Sequence, residues 1–188
     1  MEKLILASGS PRRRELLDRV GIPYEVFRTE TDETCALPAQ QAVLELSRRK
    51  ALFAGARFPG RFILAADTLV ALEGRMLGKP ASRKEAEEML TFLSGRKHSV
   101  HTGVTVIAPE GQLLSAEDTT FVSFCELSRE EILSYVDSGE PLDKAGAYAL
   151  QGRAGLWVER IEGCDSSVIG LPLYLVRRLL LEAGYQLP

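Results

Sequence analysis

Apolar and polar positions along the chain switch between a helical and an extended period several times. LILAS (residues 4–8) is a short apolar run ending in a small polar residue, which predicts a buried strand. SPRRRELLDRV follows with Leu16, Leu17 and Val20 on one helical face; Gly21 ends that helix and Pro23 keeps it from resuming. YEVFR predicts a second strand, ETDETCALP a polar loop, and residues 38–54 a long helix with Ala42, Val43, Leu46 and Leu52 turned inward. FILAADTLVAL is apolar except for one acid, predicting two buried strand pieces with a break at Asp67-Thr68. Ser82, three residues before Glu85, caps a helix whose Ala86, Met89, Leu90 and Leu93 share a face. HSVHTGVTVIA and LLSAEDTTFVSFCEL read as extended, separated by a turn at Pro109-Glu110-Gly111. Ser128 caps REEILSYVDSG, LWVERIEG is a further strand, and residues 171–183 form the last helix.

This order mixes βα units with a hairpin-like pair. It predicts an α/β fold on a mixed, twisted sheet flanked by helices, part of it antiparallel. No internal repeat or long linker interrupts the 188 residues, so one domain is expected over 1–188, large enough for two lobes around a cleft.

Composition narrows the classes. At 45% hydrophobic and 26% charged residues the chain is neither disordered nor fibrous. A net charge of −3 argues against a nucleic-acid polymer or an anionic membrane as partner, so any anion must be held by a local basic cluster. Cys35, Cys125 and Cys164 are scattered, without metal-ligand spacing. They suggest a reduced, cytoplasmic protein. The apolar run near the start is too short for a signal segment, and no stretch is long enough to span a membrane.

The strongest chemical signal is Ser8-Gly9-Ser10-Pro11-Arg12-Arg13-Arg14, placed between the first strand and the first helix. Ser10 suits the N-cap and Pro11 the first helical position. Free N–H groups and the positive end of the helix dipole favour an anion there. Ser8 and Ser10 offer hydroxyls, and Gly9 lets a ligand approach the backbone. Arg13, three and four residues before Leu16 and Leu17, lies above the core-facing side, with Arg12 beside it near the loop. Forked guanidinium donors match phosphate oxygens. No Walker or GxGxxG sequence is present, which argues against a P-loop or dinucleotide site.

Asp67 follows a run that should be buried, at a strand end where ligands of open sheets gather. It either holds a divalent cation such as Mg²⁺ or removes a proton from water. Glu33 could complete a metal site, though by spacing Glu30 and Asp32 are equally eligible; Mg²⁺ accepts one or two carboxylates plus substrate phosphates. Lys79 in LGKP could reach a phosphate, and Lys50 at the end of Arg48-Arg49-Lys50 suits a helix C-terminus. His98 and His101, three apart on a strand, face opposite ways and cannot share a metal. Cys164 has no adjacent histidine to activate it. Gln151, in DKAGAYALQG, can donate and accept at once, as the edges of uracil and thymine require.

SGSPRRRELL, ETDET, AADTLV, LGKP, LSGRKHSVHTGV, EPLDKAGAYALQG and IGLPLYL, in this order, closely resemble the Maf family of nucleoside triphosphate pyrophosphatases. DKAGAYALQG is similar to the branch acting on dTTP and UTP; a related branch prefers 7-methyl-GTP. The resemblance implies Asp67 as proton acceptor. It places Ser8, Arg13, Glu33, Lys50 and Lys79 in the cluster holding triphosphate and metal (Mg²⁺ or Mn²⁺). Arg12, Thr68 and Gln151 match positions of substrate choice. It further implies a fold similar to inosine triphosphate pyrophosphatases, a homodimer and a link to arrest of septum formation. The rival readings are a 7-methyl-GTP or ITP/XTP pyrophosphatase of the same fold, or a nucleotide-sensing regulator without chemistry.

Overall fold

The computed structural model describes residues 2–188. Its elements run β1 (Leu4–Leu6), α1 (Pro11–Arg19), β2 (Tyr24–Val26), α2 (Ala39–Gly55), β3 (Ile63–Leu72), β4 (Arg75–Leu77), α3 (Arg83–Leu93), β5 (Lys97–Ile107), β6 (Leu113–Phe124), α4 (Arg129–Asp137), β7 (Val158–Glu162), α5 (Asp165–Ile169) and α6 (Leu173–Glu182). Short 3-10 turns at Glu140–Asp143, Ala145–Ala147 and Arg153–Trp157 lie between α4 and β7. The strands form one seven-stranded sheet in the order β2-β1-β3-β5-β6-β7, with β4 also paired to β3. β1 is parallel to both β2 and β3, whereas β4 and β7 run antiparallel to β3 and β6. The expected mixed α/β sheet flanked by helices is therefore present.

The chain forms two compact units. The first holds the residues up to Asp67 together with Thr102–Asp118 and Gly170–Pro188; the second holds Thr68–His101 and Thr119–Ile169. β3, β5 and β6 each contribute residues to both.

In the first unit, Leu6 pairs with Val26 on one side and Leu64 on the other. Ile5, Ala7, Ala51, Ala54, Ile63 and Ala65 make a core against which Phe27, Phe58 and Ile107 pack. Each fully buried Ile contributes about 2 kcal/mol, whereas the alanines contribute closeness. Gly103 takes this furthest: a Cβ there would lie 2.2 Å from the Val43 carbonyl oxygen, so α2 lies almost directly on β5. The buried stripe of α2 is Ala42, Val43, Leu46, Ser47, Lys50, Ala51 and Ala54.

The second unit is built on rings. Phe124 meets Tyr148 at 4.8 Å and Trp157 at 6.3 Å, and Tyr135 meets Trp157 at 4.9 Å, all edge to face. Its helices begin as expected. Ser82 Oγ accepts the Glu85 N–H at 3.1 Å, and Ser128 and Glu131 cap α4 reciprocally. The Glu85 carboxylate, however, accepts from the Ala81 N–H rather than closing the box on Ser82.

Several expectations are corrected. β3 is one continuous strand; what changes at Asp67-Thr68 is the unit to which the chain belongs. Val20 is the C-cap of α1 and is 37% exposed, and Leu52 is 56% exposed, because both fall off the inward stripe of their helices. The 3-10 turns and α5 lack the long periodicity that would have announced them. Among the described residues no helix is long and apolar enough to cross a membrane.

Candidate active site

The junction of β1 and α1 has the expected Pro11 at the helix start and Ser10 at the N-cap, but Ser10 makes no side-chain cap bond. Ser8 takes over the local polar work: its Oγ accepts the Ser10 N–H at 3.2 Å and the Arg13 Nη1 at 3.0 Å. Arg13 Nε donates to the Gly170 carbonyl at 2.8 Å. The guanidinium is thus fixed at both ends before any ligand arrives. Burial lowers its pKa, Asp67 raises it, Arg12 lowers it and Glu33 raises it, in falling order of effect. It stays a cation, since arginine does not lose its proton in proteins. Asp67, Arg12 and Glu33 are thus each close enough to act on the charge of Arg13.

The second half of this site comes from α2 and β3. The inward stripe of α2 carries Lys50 to Asp67, whose carboxylate Oδ1 accepts from Lys50 Nζ. The same ammonium donates to Glu33 Oε1 at 2.8 Å. The Lys50 and Asp67 side chains are only 9% and 10% exposed, whereas Glu33 is 51% exposed. Lys50 therefore does not sit at a helix C-terminus, because α2 continues to Gly55; it is a buried cation shared by two acids. Of the acids that spacing alone left equally eligible, Glu33 is the one that meets Lys50. The Asp32 carboxylate instead accepts the Thr34 N–H at 2.8 Å, and Arg49 Nη1 ties the loop to α2 through the Thr34 carbonyl at 3.0 Å.

Arg28 had no warning in the sequence. It follows β2, is exposed, and its stem lies 3.4 Å from where a Gly9 Cβ would stand. It adds a further cation at the loop, which only tertiary pairing of β1 with β2 could reveal.

The remaining sequence candidates belong to the second unit. Thr68 is half-buried on β3 and Lys79 is exposed between β4 and α3. Lys79 follows Gly78, whose carbonyl accepts the Gly146 N–H at 3.1 Å. Gln151 is exposed in a turn. His98 Nε2 and the Tyr148 hydroxyl are 2.9 Å apart; burial pushes the His98 pKa down to about 4 and the Tyr148 phenol up. His101 instead meets Thr119 and Ser99, both at 2.9 Å, and burial also lowers its pKa. The two histidines have separate partners, and among the described residues no group of three His, Cys, Asp or Glu gathers as a metal centre.

A family model described as Maf-like protein matches residues 3–183. The chain belongs to the Maf-like family. This Maf-like protein is 49% identical over 187 residues to a dTTP/UTP pyrophosphatase of Symbiobacterium thermophilum, covering 98% of this chain and 96% of that one. It is 47% identical to a dTTP/UTP pyrophosphatase of Carboxydothermus hydrogenoformans, covering 97% and 100%. Among solved structures, the Ham1 protein of Staphylococcus aureus superposes with a TM-score of 0.56 at 16% identity, covering 96% of this chain and 99% of that one. A HAM1 protein from Coxiella burnetii gives 0.52 at 17% identity, covering 97% and 100%. The Maf-like protein thus shares its fold with the Ham1 proteins.

Proposed function

We propose that this protein hydrolyses dTTP and UTP, and modified pyrimidine nucleotides like them, to the nucleoside monophosphate and pyrophosphate, removing unwanted nucleotides before polymerases use them. The names of relatives matched at nearly full length support the reaction class. The observation that carries the chemistry is the buried Lys50 ammonium shared by Asp67 and Glu33, within electrostatic reach of the anchored Arg13.

In this reading a water oxygen attacks the α-phosphorus, the bond from that phosphorus to the bridging oxygen breaks, and pyrophosphate leaves. Asp67 accepts the water proton. Arg13 and the N-terminus of α1 offset charge on the phosphate oxygens, with Ser8 holding Arg13 in place. Lys50 orients Asp67 and balances its charge. Lys79 is assigned to the phosphates, and Thr68, Arg12 and Gln151 to the choice of base. Gln151 pairs with the donor and acceptor edge of uracil or thymine, and a purine leaves its amide unpaired.

A divalent cation fits the donor chemistry of this site. Glu33 and Asp67 already converge on one cation, and two carboxylates plus substrate phosphate oxygens are a set that Mg²⁺ or Mn²⁺ accepts. When bound, such an ion lowers the pKa of water and offsets phosphate charge. The resemblance further supports a homodimer in the cytoplasm, the former tested by light scattering on purified protein.

The deciding experiment incubates the protein with Mg²⁺ and a panel of nucleotides and identifies the released product. Pyrophosphate from dTTP and UTP supports the reading. Orthophosphate would place cleavage at another bond, preference for 7-methyl-GTP or ITP would replace the substrate, and no release would leave a nucleotide-sensing regulator.

A further inference from the structure

Gln151 is exposed, so the direction of its amide depends on the backbone that carries it. That backbone is a four-residue turn over 149–152, closed by the Gly152 N–H donating to the Ala149 carbonyl at 3.0 Å, with Gln151 third in the turn. Both corners of the turn meet one pair of side chains. The Tyr135 hydroxyl accepts the Ala149 N–H at 3.2 Å. It donates in turn to Glu140 Oε1 at 2.9 Å. That same carboxylate oxygen rests on the far corner: a Cβ on Gly152 would come within 1.7 Å of it. The φ of Gly152 is −104°, open to any residue, so glycine is required here for room and not for backbone freedom.

The brace is itself well supported. Tyr135 is fully buried on α4, with its ring edge to face with Trp157 at 4.9 Å. Lys144 Nζ donates to the Glu140 main-chain carbonyl at 2.6 Å, fixing the start of the segment. One hydroxyl and one carboxylate thus set the height and tilt of the turn.

We propose that Tyr135 and Glu140 are positioning residues for base recognition, holding the turn that presents Gln151. This rests on the reading of Gln151 given above. A directional pair between an amide and a base edge loses strength quickly when its donor and acceptor tilt. The brace therefore governs discrimination between pyrimidine and purine nucleotides more than it governs bond cleavage.

The test compares kcat/KM for UTP with that for a purine triphosphate in Gln151→Ala, Tyr135→Phe and the double variant. Tyr135→Phe keeps the ring packing and removes the hydroxyl's bonds to Ala149 and Glu140. Its selectivity should fall about fivefold to tenfold, through KM for UTP more than through kcat, as expected for losing one or two hydrogen bonds. In the Gln151→Ala background the same change should lower selectivity no further, a coupling that general loosening of the fold would not produce. Gly152→Ala, which drives the carboxylate off its seat, should mimic Tyr135→Phe. Glu140→Gln, which keeps an acceptor oxygen for Tyr135, should retain most selectivity where Glu140→Ala does not. Loss of selectivity in Gln151→Ala but not in Tyr135→Phe or Gly152→Ala would overturn the brace and leave the base reading intact. Multiplying effects in the double variant would also overturn it. Unchanged selectivity in Gln151→Ala would remove the base reading, and the brace with it.

Discussion

The two units bury polar groups by opposite means. In the first, Lys50 and Asp67 form a buried ion pair that also reaches the half-exposed Glu33, with Arg13 close by. In the second, His98, Tyr148 and Tyr135 are neutral groups held by hydrogen bonds among aromatic rings. Buried charges are costly unless paired, yet they can stabilise charge that develops in a reaction. Neutral hydrogen-bonded rings are stiff and cheap to bury, which suits holding a recognition loop in shape. On the proposed reading the proton acceptor Asp67 lies in the first unit and Gln151 in the second.

The largest test of this contrast is Asp67→Asn. It should lower kcat for pyrophosphate release about a thousandfold while leaving binding of a non-hydrolysable UTP analogue largely intact, measured by calorimetry. Retained turnover would remove Asp67 as the base. Next, Lys50→Met should cost about 3 kcal/mol in urea unfolding, because Asp67 is left buried without its partner. Adding Asp67→Asn to that variant should restore part of the loss; a simple sum of the two single effects would mean that the pair is not coupled.

A pH titration probes the neutral cluster. The folded protein holds His98 near a pKa of about 4, against 6.5 for the free side chain, so the unfolded chain takes up its proton first as pH falls. The resulting stability is full above pH 6.5 and is lost progressively towards pH 4, by about 3 kcal/mol in total, with His101 acting in the same direction. His98→Gln should flatten that acid slope in thermal melts across the same range. A slope identical to the parent's would place the acid sensitivity elsewhere. Smallest of all, Gln151→Ala should change unfolding free energy by under about 0.5 kcal/mol, because the side chain is exposed.

How much of this could be read in the sequence depends on the range of the cause. The β1–α1 junction was legible because strand, serine, proline and arginine act within one turn of helix. Ser82 and Ser128 were legible for the same reason. The burial of Lys50 was not, since its polarity argues for the surface; the stripe through Ala42, Val43 and Leu46 passes through position 50 and misses Leu52, and helical phase outweighs residue type. By spacing alone Glu33 could not be told from Glu30 or Asp32, although the resemblance chose it; in the fold its contact with Lys50 of α2 sets it apart. The break expected in β3 was wrong because an acid in a strand interrupts hydrophobicity, not the backbone ladder. The brace on Gln151 joins residues from α4 to the turn through aperiodic 3-10 segments, where no repeat guides the eye.

Gly103 carries a consequence for tuning this catalyst. A methyl group at that position could be housed only if the backbone of α2 withdrew by about an ångström, judging from the 2.2 Å separation and an ordinary contact of 3.4 Å. Such a retreat would lengthen the reach of Lys50, on α2, to Asp67, on β3. The spacing of that ion pair thus depends on the smallness of a residue with no chemistry of its own, so a change that weakens the pair need not touch either charged side chain.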